Sequence, residues 1–378
     1  MRKILYITGT RADFGVMYST LKAIKENPKL KLSLIVTGMH LSKKFGSTIN
    51  EIKRDGFKID VIVDAHIKKM DNSEMAKSLG HCIIGMAKSF EKIKPDIVLL
   101  EGDRGESLAA AIVASHMNIP IVHISGGDVS GSIDNSIRKA ITNFANFHLA
   151  NTQESAKRIL KMGEQPWRVK VVGALGLDFK AKDLIPVKKL VLDFGINPRR
   201  PLILVLQHPV TEESKDAGKQ IKKTLDAIVK LGQQTILIYP NTDAGSSKMI
   251  EVIEKYRKYK FIKIFKSLPR RELLSLMKIT DVMIGNSSAG LIETPIFNLP
   301  TINIGTRQKN RERANNAIDV GYNTQDIYET TKKILLNKKK NKFKEIKTPY
   351  KDMNTASKIV NILLKLKINN KLLNKYGY

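Results

Sequence analysis

Short apolar runs of strand length recur through this chain, each separated from the next by a stretch with helical periodicity, and this alternation narrows the possible folds more than any other feature. The runs lie at residues 3–8, 32–37, 59–63, 97–101, 121–125, 147–150 and 169–172, then, beyond a linker-like helix after Pro186, at 202–206, 235–239, 261–265, 282–284 and 301–304. Strands that alternate with helices pair in parallel through right-handed crossovers. The expected class is therefore α/β, with two Rossmann-like domains at residues 1–175 and 190–350. At 378 residues and 42% hydrophobic content the chain exceeds what one core usually supports, which agrees with two. Residues 351–378 carry one further helix, expected over 356–373, with Ile359, Ile362, Leu363 and Leu366 on one side and able to pack back across the domain seam. In such folds ligands sit outside the carboxyl ends of the strands, which places the active site in the cleft where the two sets of strand ends face each other.

Charge and cysteine content narrow the chemistry. The net charge is +29, yet lysines recur along nearly every helix as well as in runs such as Lys332-Lys333, Lys338-Lys339-Lys340 and Lys342 to Lys347, with few aromatic residues among them. A nucleic-acid module would add arginines and stacking rings on a defined face, so a solvated basic surface is expected and nucleic acid is not a partner. The single cysteine, Cys82, forms no internal disulfide and has no CxxC or CxxH neighbour, which argues against structural zinc and a redox pair. No window has the apolar length of a membrane span, and the start of the chain is too short for a signal peptide, so the expected location is cytoplasmic, without membrane contact.

The polar residues concentrate where the apolar runs end. Gly285-Asn286-Ser287-Ser288 follows a strand and precedes a short helix that Pro295 would end; free amides at such a junction, with the positive end of a helix dipole, suit a diphosphate. Glu293, further along that helix, would accept hydroxyls of a ribose. A plain N-capped helix is the competing interpretation of the same residues. After the first strand, Thr8-Gly9-Thr10-Arg11 lacks the GxGxxG spacing of dinucleotide folds, but Arg11 could clamp a diphosphate. Four charges in six residues, Glu101-Gly102-Asp103-Arg104-Gly105-Glu106, end a buried strand, an expensive place for them without a function. The next loop runs from His123 to Asp134 and can bring Asp128 and Asp134 near Asp103, where like charges would raise one another's pKa toward values useful in proton transfer. His208 follows one strand of the second series, and Asn241 and Asp243 follow another.

Together with Ile304-Gly305-Thr306-Arg307-Gln308, these motifs resemble, in order and over nearly the whole chain, the hydrolysing UDP-N-acetylglucosamine 2-epimerases. The resemblance implies a GT-B-type fold, UDP held mainly by the second domain, and release of UDP and N-acetylmannosamine at the entrance to sialic acid biosynthesis. It implies Asp103, Asp128, Asp134 and His208 as catalytic, and Arg11, Arg104, Asn241, Asp243, Ser287, Ser288, Glu293 and Arg307 as the residues holding UDP and sugar. The reaction would pass through a glycal: the C1–O bond to UDP breaks as a carboxylate takes the C2 proton, then water adds with protonation from the opposite face. Neither metal nor cofactor is expected, and the protein should be a homo-oligomer, dimer or tetramer. Two departures stand out. Ser125 occupies a position where relatives often carry Glu or His, and Lys139 follows Arg138 where many have Arg-His. Alternatives are the same reaction on a nucleotide-linked 2,4-diacetamido-2,4,6-trideoxy sugar of the legionaminic acid pathway, or a GT-B glycosyltransferase.

Overall fold

The computed structural model describes residues 1–66, 71–337, 346–350 and 354–375; most of the lysine run from Lys338 to Lys347 lies outside them. Among the described residues thirteen strands form two wholly parallel sheets. The first contains β1 (Arg2–Thr8), β2 (Leu30–Val36), β3 (Val61–Ile62), β4 (Ile97–Glu101), β5 (Ile121–Ile124), β6 (Phe147–Ala150) and β7 (Val169–Val171), in the order β3-β2-β1-β4-β5-β6-β7. The second contains β8 (Leu202–Leu206), β9 (Gln234–Ile238), β10 (Ile262–Phe265), β11 (Val282–Gly285), β12 (Thr301–Ile304) and β13 (Ala317–Val320), ordered β10-β9-β8-β11-β12-β13. These are two Rossmann-like sheets of a GT-B-type α/β fold.

The strands are where the apolar runs predict them because a parallel strand covered by helices on both faces has no polar side to show. In β8 every residue of Leu202–Leu206 is buried. Burying each such side chain contributes roughly 1.5–3 kcal/mol relative to leaving it exposed. Two differences lie at sheet edges. The run at 59–63 reduces to the two residues of β3, and β13, Ala-Ile-Asp-Val, was not expected because an edge strand keeps a polar face: its Asp319 accepts from Asn303 and Arg313.

The C-terminal segment is two helices, not one. Thr355–Lys365 ends before Asn369, whose side chain caps a second helix, Asn370–Leu373, at 3.0 Å from the Leu372 amide. Asn is a strong N-cap, and Asn369-Asn370 restarts the helix where the sequence periodicity suggests continuity. Both pieces pack on the first sheet's core: Ile359, Val360, Leu363 and Leu372 join Ile4, Met17 and Leu21. The buried guanidinium of Arg168 donates to the carbonyls of Lys371, Leu372 and Asn374, satisfying a helix end with a cation. Among the described residues no helix is long and apolar enough to cross a membrane.

The strand order fixes where the loops diverge. In the first sheet the chain reverses direction of growth between β1 and β4, and in the second between β8 and β11. Loops leaving such a pair turn to opposite sides of the sheet and leave a crevice.

Candidate active site

One cleft is lined from all four of those loops: Thr10–Asp13 after β1, Glu101–Arg104 after β4, His208 after β8, and Ser287 and Ser288 after β11. Glycine makes two of the turns possible. Gly285 has φ +143°, and a Cβ there would lie 2.1 Å from the Leu206 carbonyl oxygen, so β11 can leave beside β8 only without a side chain. Gly102, at φ +68°, reverses the chain between Glu101 and Asp103, so both carboxyls line the cleft. That turn is pinned by His123, whose Nε2 lies 2.8 Å from the Gly102 carbonyl; burial lowers this imidazole to about 3, so it is neutral and Nε2–H donates.

In the second sheet the amides of Ser287 and Ser288 have no acceptor among the described residues. The helix behind them, Ala289–Ile292, is a single turn, so its dipole is small and the free amides dominate. His208 is buried, and its Nδ1 accepts from the Asn241 amide at 3.1 Å, leaving Nε2–H as the donor. Burial, then the field of Arg307, lowers this imidazole to about 3. It is therefore neutral at physiological pH, with Nε2–H as a hydrogen-bond donor.

Arg11 opens the Arg11–Glu26 helix, whose N-terminus is closed by a capping box of Thr10 and Asp13. Its guanidinium is buried, with Nη1 making no hydrogen bond and no carboxylate at ion-pair distance among the described residues. Burial lowers it to about 10, still charged at neutral pH. A buried, unpaired cation is costly, and an anion in the cleft would remove the cost.

The acidic residues sort differently from expectation. Asp103 is ion-paired with Arg138, Asp134 with Arg307 at 3.4 Å, and Asp128 with Arg311 at 3.1 Å. Each takes an arginine in place of another carboxylate. Asp128 moreover is not part of the cleft lining: it accepts from Asn151 at 3.0 Å and Ser155 at 2.7 Å and pairs with Arg311, which does line the cleft. The like-charge pair is elsewhere, in Asp13 and Glu101. Burial followed by the charge of Asp13 raises Glu101 to about 7; burial foremost, with a smaller contribution from the charge of Glu106 and against hydrogen bonds from Thr8 and Thr10, raises Asp13 to about 6.

Two expected substrate-binding residues face each other instead. Arg104 donates to Asp243 at 2.6 Å and lies 3.7 Å from Glu106, a bridge between the two halves of the molecule. Burial would lower Arg104, but Asp243 and Glu106 hold it above its ordinary value. Asp243 lines a neighbouring cavity, with Asp103, Arg104 and Asp134 shared between the two. Glu293 lines the main cleft, paired with Arg270 at 2.5 Å. Among the described residues no group of three His, Cys, Asp or Glu could hold a metal ion.

The family model for UDP-N-acetylglucosamine 2-epimerase matches residues 22–364, well over half of the chain. The chain belongs to the UDP-N-acetylglucosamine 2-epimerase family. It is 41% identical, over 85% of either chain, to the UDP-N,N'-diacetylbacillosamine 2-epimerase (hydrolyzing) of Legionella pneumophila. It is 35% identical to the UDP-N-acetylglucosamine 2-epimerase of Neisseria meningitidis, over 88% of this chain and 87% of that one. In fold it is similar to the crystal structure of UDP-GlcNAc 2-epimerase from Neisseria meningitidis bound to UDP-GlcNAc, with a TM-score of 0.80, 20% identity, and coverage of 96% of this chain and 100% of that one.

For this member of the 2-epimerase family, Glu101, Arg138, Arg270 and Arg311 complete the cleft although the sequence did not single them out. Glu101 had a usable signal, as a carboxyl at the last position of an otherwise apolar strand. Arg138 stands out only as a basic residue on the helix after the glycine-rich loop. Nothing local distinguishes Arg270 or Arg311 from the many surface cations.

Proposed function

We propose that this protein is a hydrolysing 2-epimerase that takes a UDP-linked 2-acetamido sugar and water to UDP and the free 2-epimer. The buried, unpaired Arg11 guanidinium, which lines the same cleft as Ser287 and Ser288 with their free amides, carries the reading. With Arg307 and the Nε2–H of His208 on the same cleft, these donors suit a diphosphate, and they become most valuable as it leaves with a full extra charge. In this proposal Asp103 and Asp134 supply the carboxylate that takes the C2 proton as the C1–O bond breaks. Asn241 and Glu293 contact the nucleoside or sugar, Glu293 accepting ribose hydroxyls opposite its arginine.

Two sugars fit the class. The 41% identity to the Legionella protein against 35% to the Neisseria one favours UDP-N,N'-diacetylbacillosamine, leading to a legionaminic-type product. UDP-N-acetylglucosamine, leading to N-acetylmannosamine for sialic acid synthesis, is the second reading, supported by the family model. A cytoplasmic homo-oligomer belongs to the same proposal.

The test is incubation of the purified protein with each UDP-sugar in deuterated water, followed by NMR. The expected result is free UDP with the 2-epimer carrying deuterium at C2, at higher kcat/KM for the preferred sugar and undiminished by EDTA. A 2-epimer still linked to UDP, or hydrogen retained at C2, overturns the reading.

A further inference from the structure

The reaction needs two proton events at C2 on opposite faces, one removing and one delivering. Removal falls, in the reading above, to the arginine-paired carboxylates Asp103 and Asp134. Delivery needs a group that keeps its proton in a site full of cations.

Glu101 is the group the fold sets apart. It ends β4 in register with Ile124, so its side chain stands beside the next residue, Ser125, whose hydroxyl donates to Oε1 at 3.2 Å. Among the described residues it has no ion-pair partner, although it shares the cleft wall with Asp103 two residues on. The Gly102 turn points both carboxyls inward, and its carbonyl is tied to neutral His123. Charged neighbours surround Glu101 on several elements: Asp13 from the Arg11–Glu26 helix, Asp128 beyond β5, and Arg138 from the Asp134–Phe144 helix. Tyr6 of β1 lies beside both Asp13 and Glu101. Asp13 itself accepts four hydrogen bonds, from the Gly9 and Thr10 amides and the Thr8 and Thr10 hydroxyls, and so is fixed as an acceptor. That leaves Glu101 as the carboxyl of the pair free to carry a transferable proton.

We propose, resting on the hydrolysing reading above, that Glu101 is a further catalytic residue whose carboxylic acid protonates C2 of the glycal. In the first half-reaction a carboxylate takes H2, the C1–O bond breaks, its electron pair leaves with UDP, and C1=C2 forms. In the second, the Glu101 O–H bond breaks and its proton joins C2 as the C1=C2 pair forms that bond. Water then forms a bond to C1 and loses a proton to solvent. Solvent reprotonates Glu101 and takes the proton of the first carboxylate, so each turnover consumes one water and releases one proton with UDP. Burial and Asp13 raise Glu101 to about 7, so the acid form is present at neutral pH.

The decisive variant is Glu101→Gln, isosteric and unable to donate an acidic proton. With a sugar that the wild-type protein hydrolyses, the variant should still release UDP in a single turnover and hold UDP within a few fold. Its 2-epimer should fall by roughly 10²–10⁴-fold, with the glycal accumulating in NMR and mass spectra. Unchanged 2-epimer formation overturns the proposal, and so does equal loss of UDP release and 2-epimer without glycal, which marks a positioning residue. Should the variant fail to fold, wild-type protein given the 2-acetamidoglycal and UDP decides: hydration should fall as pH rises through about 7, and a flat or rising profile overturns the assignment. A wild-type protein that releases no UDP from either sugar fails earlier, on the hydrolysing reading itself.

Discussion

The two sheets reach the cleft by the same topology but present opposite chemistry. The β1–β4 crevice offers carboxyls: Asp13, Glu101 and Asp103, of which buried Asp13 and half-buried Glu101 have raised pKa values. The β8–β11 crevice offers donors: the amides of Ser287 and Ser288 and the neutral imidazole of His208. One half brings carboxyls to the cleft and the other brings donors, and Arg11 is the exception, a cation placed by the acidic half. A repeated fold thus leaves function to the few residues beyond its strand ends.

The largest effect that would break this contrast is on turnover. Asp103→Asn should lower kcat by roughly 10²–10⁴-fold while UDP affinity by calorimetry stays within a few fold. A parallel loss of UDP affinity would mean that the first half also holds the nucleotide. Next comes the bridge between halves. Asp243→Asn leaves Arg104 buried with a weakened partner and should cost about 3 kcal/mol of stability in denaturant titration, breaking a buried pair being worth about 3–5 kcal/mol. UDP affinity should hardly move, because Asp243 faces Arg104 and not the main cleft.

Affinity effects are smaller. Ser288→Pro removes one free amide at a φ of −59° that proline accepts, and should weaken UDP about ten- to a hundredfold, the worth of one charge-assisted hydrogen bond of roughly 1.5–3 kcal/mol. Arg11→Met should weaken UDP comparably yet raise the melting temperature of the free protein by about 2–4 °C, since it removes an unpaired buried charge. A fall in that melting temperature would show that Arg11 is already compensated. The smallest expected effect is in pH dependence. A carboxyl whose folded pKa is raised stabilises the fold less and less as pH climbs to that value, so Glu101→Gln should gain stability relative to wild type between pH about 5 and 8. A difference independent of pH would contradict the raised pKa.

Much of this architecture was legible beforehand. Apolar runs gave strands because buried parallel strands have no polar face, and strand-end loops gave the cleft because topology puts ligands there. Arg11, Ser287, Ser288 and His208, which this rule puts at the cleft, do line it. Partnership was not legible. Which arginine meets which aspartate depends on contacts far apart in sequence: Asp128 pairs with Arg311 without lining the cleft, and Arg104 lines the cleft while pairing with Asp243. Glu101 was overlooked because what sets it apart from its three charged neighbours is that, among the described residues, it alone has no ion-pair partner, and pairing rests on those same distant contacts.

The C-terminal helices return to the first sheet after the chain has built the second, packing on Met17 and Leu21 and gripped by Arg168. The second sheet is therefore tethered at both ends of its stretch of chain. A body held by one linker can swivel freely, whereas one held by two neighbouring strands of polypeptide turns mainly about the line joining them. Any relative movement of the two halves would then be that of a jaw with a single axis, along which the carboxyl-bearing loops of one half and Ser287 and Ser288 of the other separate and meet in the same register.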